Sequence, residues 1–190
     1  MDALETLFAR RSIPRLVDPG PDDEEVRLLL SAAVAAPDHG EARPWRFVVF
    51  RGEDRERFGA VLEAAARQRA EQEGGELDEA RADKERRRFL RAPVVVAVVC
   101  RMQARRVLQA EQRDAVAAAT QNLLLAATAR GWGSVWRTGD AAVSPVVRSA
   151  LGLADDDVIV AFVYLGTIPP EGGKPPRPLD PTPFIEPPPT

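Results

Sequence analysis

Little in this sequence can build a transition-metal centre or form a disulfide. Its 190 residues include one cysteine, Cys100, and one histidine, His39. A single thiol excludes any disulfide within the chain and any cysteine-rich zinc site. With one imidazole beside it, no transition-metal centre is expected. A Ser–His–Asp hydrolase would have to recruit His39, and no Gly-x-Ser-x-Gly elbow accompanies it. The Gly-x-Gly-x-x-Gly and Walker patterns are missing as well, so a Rossmann cofactor fold is not supported. Nor does charge of one sign dominate: 26 basic residues nearly balance 29 acidic ones, for a net −3. No overall field draws the chain to nucleic acid or to an anionic membrane. No apolar run reaches the roughly 20 residues that span a bilayer. The opening "MDALETLFARRS" lacks a signal-peptide pattern, because acidic residues interrupt a short apolar stretch. With the lone cysteine, this points to the cytoplasm.

What is present suits a folded domain. The chain is 45% hydrophobic and 29% charged, enough for a core and a soluble surface. Its length fits a single domain over 1–190, with 168–190 as a proline-rich C-terminal arm. Leu4, Leu7 and Phe8 recur at helical spacing behind Asp2 as N-cap, and predict a short helix ending near Arg11. Pro21, Asp22 and Glu25 form a variant capping box that opens a second helix, lined by Val26, Leu29, Leu30, Ala33 and Val34 and stopped by Pro37. Strands are expected at 46–52, 92–100, 133–138 and 157–166, the second of them apolar throughout and so covered on both faces. Between them lie a helix over 54–72, a long alanine-rich helix over 110–130, and one opened by Ser144–Pro145 and running to about Leu151. The charged stretch around Gly74–Gly75 reads as a solvated, mobile excursion, with a flap over 66–88 as the sharper alternative. Ten of the 17 prolines follow Ile168. They exclude a regular helix there, and Phe184 and Ile185 favour an arm that docks. Four strands among helices predict a layered α/β or α+β domain.

Three segments concentrate polar groups at the ends of these elements. Arg10, Arg11 and Ser12 suit a phosphate, since guanidinium forks bind its oxygens bidentately; the plainer reading is basic residues complementing a helix C-terminus. The loop "APDHGEARPW" (36–45) holds the only histidine and a tryptophan; the plainer reading is a helix stop followed by a core plug. In "GWGSVWRTGD" (131–140), glycines bracket Trp136, Arg137 and Thr138 and permit close backbone approach to a ligand; the plainer reading is a strand with a turn at each end. The residues themselves lead to a small α/β domain with a candidate site for a flat, anionic ligand, and stop short of a reaction.

Taken in order, "RRS", "APDH", Pro44–Trp45 with Phe47, "DRERFGAVLE", "RAPVVVAVV", the alanine-rich helix, "GSVWRTG", "SPVVR", "YLGT" and "DPTPF" resemble the FMN-dependent nitroreductase family, in particular its small bacterial YdjA-like branch. The likeness runs from about Asp2 to Phe184. It implies an α+β fold, a mixed central sheet of about four core strands flanked by helices, in an intertwined homodimer with two FMN sites at the subunit interface. Arg10, Arg11 and Ser12 would hold the phosphate and ribityl end. Trp136, Arg137, Thr138 and Gly139 would lie against the ring system or its tail, and His39 would reach it from the other subunit. An arginine, Arg137 or Arg10, would favour the anionic reduced form.

The implied activity is NAD(P)H-dependent reduction of nitroaromatic, quinone or related electron-poor acceptors by a ping-pong hydride mechanism, with no obligatory catalytic side chain and no metal. Two other readings remain: a different flavin reaction, oxidase or dehalogenase, on the same scaffold, or a flavin-binding or interaction protein with a degenerate site. The sequence departs from the family at Ala35, where relatives carry a basic residue, and at Arg43, more often Gln. Lys174 and Arg177 are candidates for additional phosphate contacts.

Overall fold

Seven consecutive apolar residues, Val94–Cys100, form strand β2, and every one of them is buried. A strand with no polar alternation must be covered on both faces and paired on both sides. In the computed structural model, which describes residues 2–104, 106–172, 179–186 and 188, both conditions are met. Strands β1 (Trp45–Arg51), β3 (Gly133–Arg137) and β4 (Val158–Gly166) complete a sheet of order β1-β2-β4-β3. Its ladders are antiparallel throughout, with Val49 opposite Val96 and Val96 opposite Val163. The expected mixed character is therefore confined to one isolated parallel bridge, Ser12 to Ser134. The α+β class and the four core strands are as expected.

Alternation along β2 divides the core in two. Val95, Ala97 and Val99 face helices α3 (Glu53–Gln72), α6 (Asp140–Val143) and α7 (Pro145–Ala150). Here Phe89, wholly buried, lies 5.1–5.8 Å from the rings of Phe50, Phe58, Phe162 and Tyr164. Stacked, tilted and edge-on pairs of this kind add to the burial they accompany. Burial pushes the Tyr164 hydroxyl up to about 12. On the opposite face, Val94, Val96, Val98 and Cys100 meet α2 (Asp23–Ala33) and α5 (Gln109–Ala129). Helix α5 presents Ala115, Ala119 and Ala127 inward, small side chains that permit close packing. Desolvation raises the Cys100 thiol to about 11.

Helix starts follow the sequence signals. Asp2 and Glu5 form a reciprocal capping box on α1 (Ala3–Ala9), and the Asp22 carboxylate accepts from the Glu25 amide at 2.9 Å. Pro145 opens α7 as expected, but the Ser144 side chain makes no cap bond. Helix α1 turns its apolar stripe outward: Leu4, Leu7 and Phe8 are exposed, and only Thr6 is buried. Leu179, Phe184 and Ile185 of the C-terminal arm are exposed too, so these three side chains do not dock on the described part of the chain, while Ile168 at the start of the arm packs against the core.

The charged stretch after residue 66 is ordered, contrary to the expectation of a mobile excursion. Helix α3 continues to Gln72, and α4 (Glu79–Arg86) returns against it. Gly59 makes the crossing possible, since a Cβ there would lie 2.0 Å from the Arg86 carbonyl oxygen. Ala82 is fully buried beside it. The charges that suggest a solvated loop instead tie the pair together: Glu63 accepts from Arg86 at 2.6 Å and from Arg67 at 2.9 Å. These guanidinium hydrogen bonds hold the Glu63 carboxyl at about 2, against 4.5 ordinarily. A depressed folded-state pKa contributes stability above the unfolded value that is lost as pH falls toward the folded one. Glu63→Gln should accordingly flatten the fall in stability between pH 4.5 and about 2. Urea unfolding across that range, wild type against variant, checks it.

Candidate functional site

The first polar segment lies where α1 stops. The Arg10 amide donates to the Thr6 carbonyl at 3.0 Å, and the backbone then extends. Arg10 and Arg11 are half-buried and Ser12 is exposed. Ile13 and Leu16, almost wholly buried, pin the segment to the core. At Ser12 and Ile13 the chain lies along β3, with the Ile13 amide bonded to the Ser134 carbonyl at 2.9 Å. Since β3 is an edge strand, its outer side is available for this pairing.

The third polar segment is the other end of β3, and the fold brings it to the first. Arg137 donates from Nη2 to the Pro14 carbonyl at 3.4 Å. Its guanidinium carbon lies 5.8 Å from the centroid of the buried Tyr164 ring, an arrangement that fixes a cation against an aromatic face. Trp136 points to the opposite face, packs against the core beside α5, and donates its indole N–H to the Val160 carbonyl at 3.2 Å. Thr138 and Gly139 are exposed. Gly139 has φ 75° and ψ −163°, a region nearly closed to other residues, and no atom lies within 4 Å of where its Cβ would be.

Two polar atoms of this strand lack partners. Ser134 Oγ and Arg137 Nε are buried with no hydrogen bond among the described residues. Leaving such groups unpaired costs about 1–3 kcal/mol each. Arg137 Nε, two residues before the open ground at Gly139, marks a place where a polar ligand would be stabilised, whereas Ser134 lies on the Trp136 face nearer the start of β3.

The histidine loop lies elsewhere on the chain. His39 begins a short 3-10 turn, His39–Glu41, and its exposed ring places Nδ1 3.0 Å from Glu111 Oε2 on α5. Gly40, Glu41 and Arg43 all have positive φ, and the Asp38 carboxylate accepts from the Arg43 amide at 2.6 Å, stitching the loop closed. Trp45 packs into the core beside α5, so it anchors the loop. Arg43 is exposed and pairs with Glu41 at 3.4 Å. Ala35 is exposed at the end of α2. Lys174 and Arg177 lie outside the described residues. One chain thus joins the segment after Arg10 and Arg11 to β3, through Ser12 and Ile13 at Ser134 and through Pro14 at Arg137, while His39 sits against α5.

Sequence reasoning missed Tyr164 and Ser134. The available signal was alternation in "VIVAFVYLG", which turns Phe162 and Tyr164 to the face that Arg137 occupies.

Comparison with known proteins gives a consistent result. A model described as "Nitroreductase family" matches residues 7–167. The chain is 41% identical over 186 residues to "Putative NAD(P)H nitroreductase YdjA" of Escherichia coli K12, covering 97% of this chain and 98% of that one. A solved structure of a nitroreductase-like family protein from Bacillus cereus shares the fold at TM-score 0.82, with 24% identity over 98% of this chain and 95% of that one. A "putative nitroreductase in complex with fmn" from Desulfovibrio desulfuricans superposes at TM-score 0.72, with 27% identity over 100% of this chain and 99% of that one.

Gly139→Ala should lower stability by about 1–3 kcal/mol, because the backbone there is strained for any side chain even though space is free. Urea unfolding of the variant measures it, and a loss under half a kcal/mol would show that the turn relaxes.

Proposed function

Because the chain belongs to the nitroreductase family, we propose that it binds FMN and uses NAD(P)H to reduce nitroaromatic, quinone or related electron-poor acceptors. The observation that supports this reading is the pairing of the segment that follows Arg10 and Arg11 with β3, Ser12 against Ser134 and Pro14 against Arg137, beside the buried, unpaired Arg137 Nε and the open space at Gly139. These residues fit a phosphorylated, flat cofactor. Two guanidiniums and a hydroxyl suit its phosphate, and the Trp136–Gly139 segment offers backbone amides and a cation to its ring. When bound, FMN supplies the hydride chemistry.

The chain's own contribution is position and charge. Arg137, fixed against Tyr164, favours negative charge on whatever lies at the end of β3. Gly139 lets that ligand approach the backbone without steric conflict. Among the described residues no buried carboxylate or imidazole is aimed into the site, so proton delivery is left to water and no side chain is an obligatory acid or base. Donor and acceptor would occupy the same open face in turn, which gives ping-pong kinetics.

The proposal includes a homodimer. Leu4, Leu7 and Phe8 of α1, with Leu179, Phe184 and Ile185 of the arm, leave more apolar surface in water than scattered single residues do. His39 would then complete the site of the second copy. Light scattering should return twice the 20.7 kDa of one chain.

The direct test mixes yellow purified protein with NADH and NADPH separately in a stopped-flow instrument. Loss of the flavin colour, followed by its return on adding a quinone, supports the reading; colour unchanged by either nucleotide overturns it. Arg10→Ala with Arg11→Ala should weaken FMN binding about a hundredfold or more, since each charge-assisted hydrogen bond contributes about 1.5–3 kcal/mol. If the two arginines serve only the helix terminus, affinity stays intact and stability falls by about 1 kcal/mol or less.

A further inference from the structure

A cavity of about 660 Å³ opens between the C-terminal half of α3, helix α4 and the start of α6. It begins where the Trp136–Gly139 segment ends, because Asp140 and Ala141 form part of its wall. Its apolar lining includes Leu62, Ala66, Leu77, Ala141 and Val143. The charges around it do not cancel. Arg69 is taken by Glu73 at 2.8 Å and by Asp140, and Arg88 by Glu85 at 2.7 Å. Arg81 and Lys84 have no carboxylate partner among the described residues. Three positions apart on α4, they lie on the same side of the helix. Ser144 also lines the cavity, and its buried hydroxyl has no partner among the described residues.

An apolar wall, two unneutralised cations and an unpaired hydroxyl describe a receptor for a flat molecule that carries an anionic group. We propose that this cleft selects the acceptor, and that it takes an electron-poor aromatic bearing a carboxylate. The ring lies on the wall formed by Leu62, Leu77 and Ala141, and the carboxylate meets Arg81 and Lys84. The inference rests on the reductase reading above and deepens it by naming the substrate class. Arg81 and Lys84 act on specificity alone, through an attraction that the low-dielectric wall strengthens and that salt weakens.

The test compares p-nitrobenzoate with its methyl ester, which carries the same reducible group without the charge. With FMN-loaded protein at low ionic strength, kcat/KM should favour the acid by about tenfold, the effect of one charge-assisted contact. Arg81→Gln with Lys84→Gln should bring that ratio toward one, and Lys84→Arg should preserve most of it. A second readout needs no turnover: calorimetric titration of p-nitrobenzoate into the oxidised protein should show binding that the double variant loses. Equal use of acid and ester by the wild type overturns the proposal while the reductase reading stands. Binding that depends on Arg81 and Lys84, with neither compound reduced while a quinone is, overturns the acceptor role of the cleft and leaves the reductase reading standing; with the quinone not reduced either, both readings fall. A double variant that changes only the KM for NADPH overturns the proposal and gives these cations to the donor's phosphate.

Discussion

Exclusion of water from both faces of β2 is the constraint on which the rest of the structure depends. A valine-rich strand buried on every side chain gains about 1.5–3 kcal/mol for each large apolar residue it hides. That gain is realised only if both faces are covered and both edges are paired. Helices α2 and α5 cover one face and α3, α6 and α7 the other, while β1 and β4 take the two edges. Everything chemically useful is displaced outward from this strand. Polar side chains collect at β3, the edge farthest from β1, and at the loop that leads into β1.

An edge strand is usually a hazard, because its unpaired backbone groups invite association. Here the outer side of β3 is partly closed by the chain leaving α1, through the Ser12 bridge and the Ile13 amide. That closure lays Ser12 against Ser134 and brings the Pro14 carbonyl to Arg137, so the same device that blunts an edge also gives the Arg137 guanidinium an acceptor. It also explains why α1 exposes its apolar stripe: the helix is placed by the segment that follows it, with little burial of its own.

Much of the fold was legible in the sequence, and for identifiable reasons. Strand β2 announced itself by composition, α2 by Asp22 and Glu25, and α7 by Pro145, because local backbone chemistry decides such features. The boundaries of α5 and β4 fell within a residue or two of the expected ones. Three features were not legible. The stripe of Leu4, Leu7 and Phe8 specified a helix but not the side it faces, since periodicity does not distinguish a core from a partner surface. The α3–α4 pair looked like a solvated excursion because its cohesion comes from Gly59 and from Glu63 bonding across to Arg86, contacts made 23 or more residues apart. At the site, the polar segments were identified, but Tyr164 beneath Arg137 and the unpaired atoms of Ser134 and Arg137 depend on strand register. The cleft beside α4 follows from the same long-range packing.

The position of Cys100 has a practical consequence. It is the only thiol in the chain and sits at the end of β2, fully buried, with its sulfur 3.8 Å from that of Met102. A thiol raised to about 11 is almost entirely protonated at neutral pH and reacts slowly with disulfide reagents even when they reach it. They reach it only when the central strand loses its cover. The rate at which a thiol reagent modifies the native protein is therefore a clock for the opening of the sheet, with one hand and no background from other cysteines. The same seclusion keeps native copies of the chain from forming a disulfide with one another.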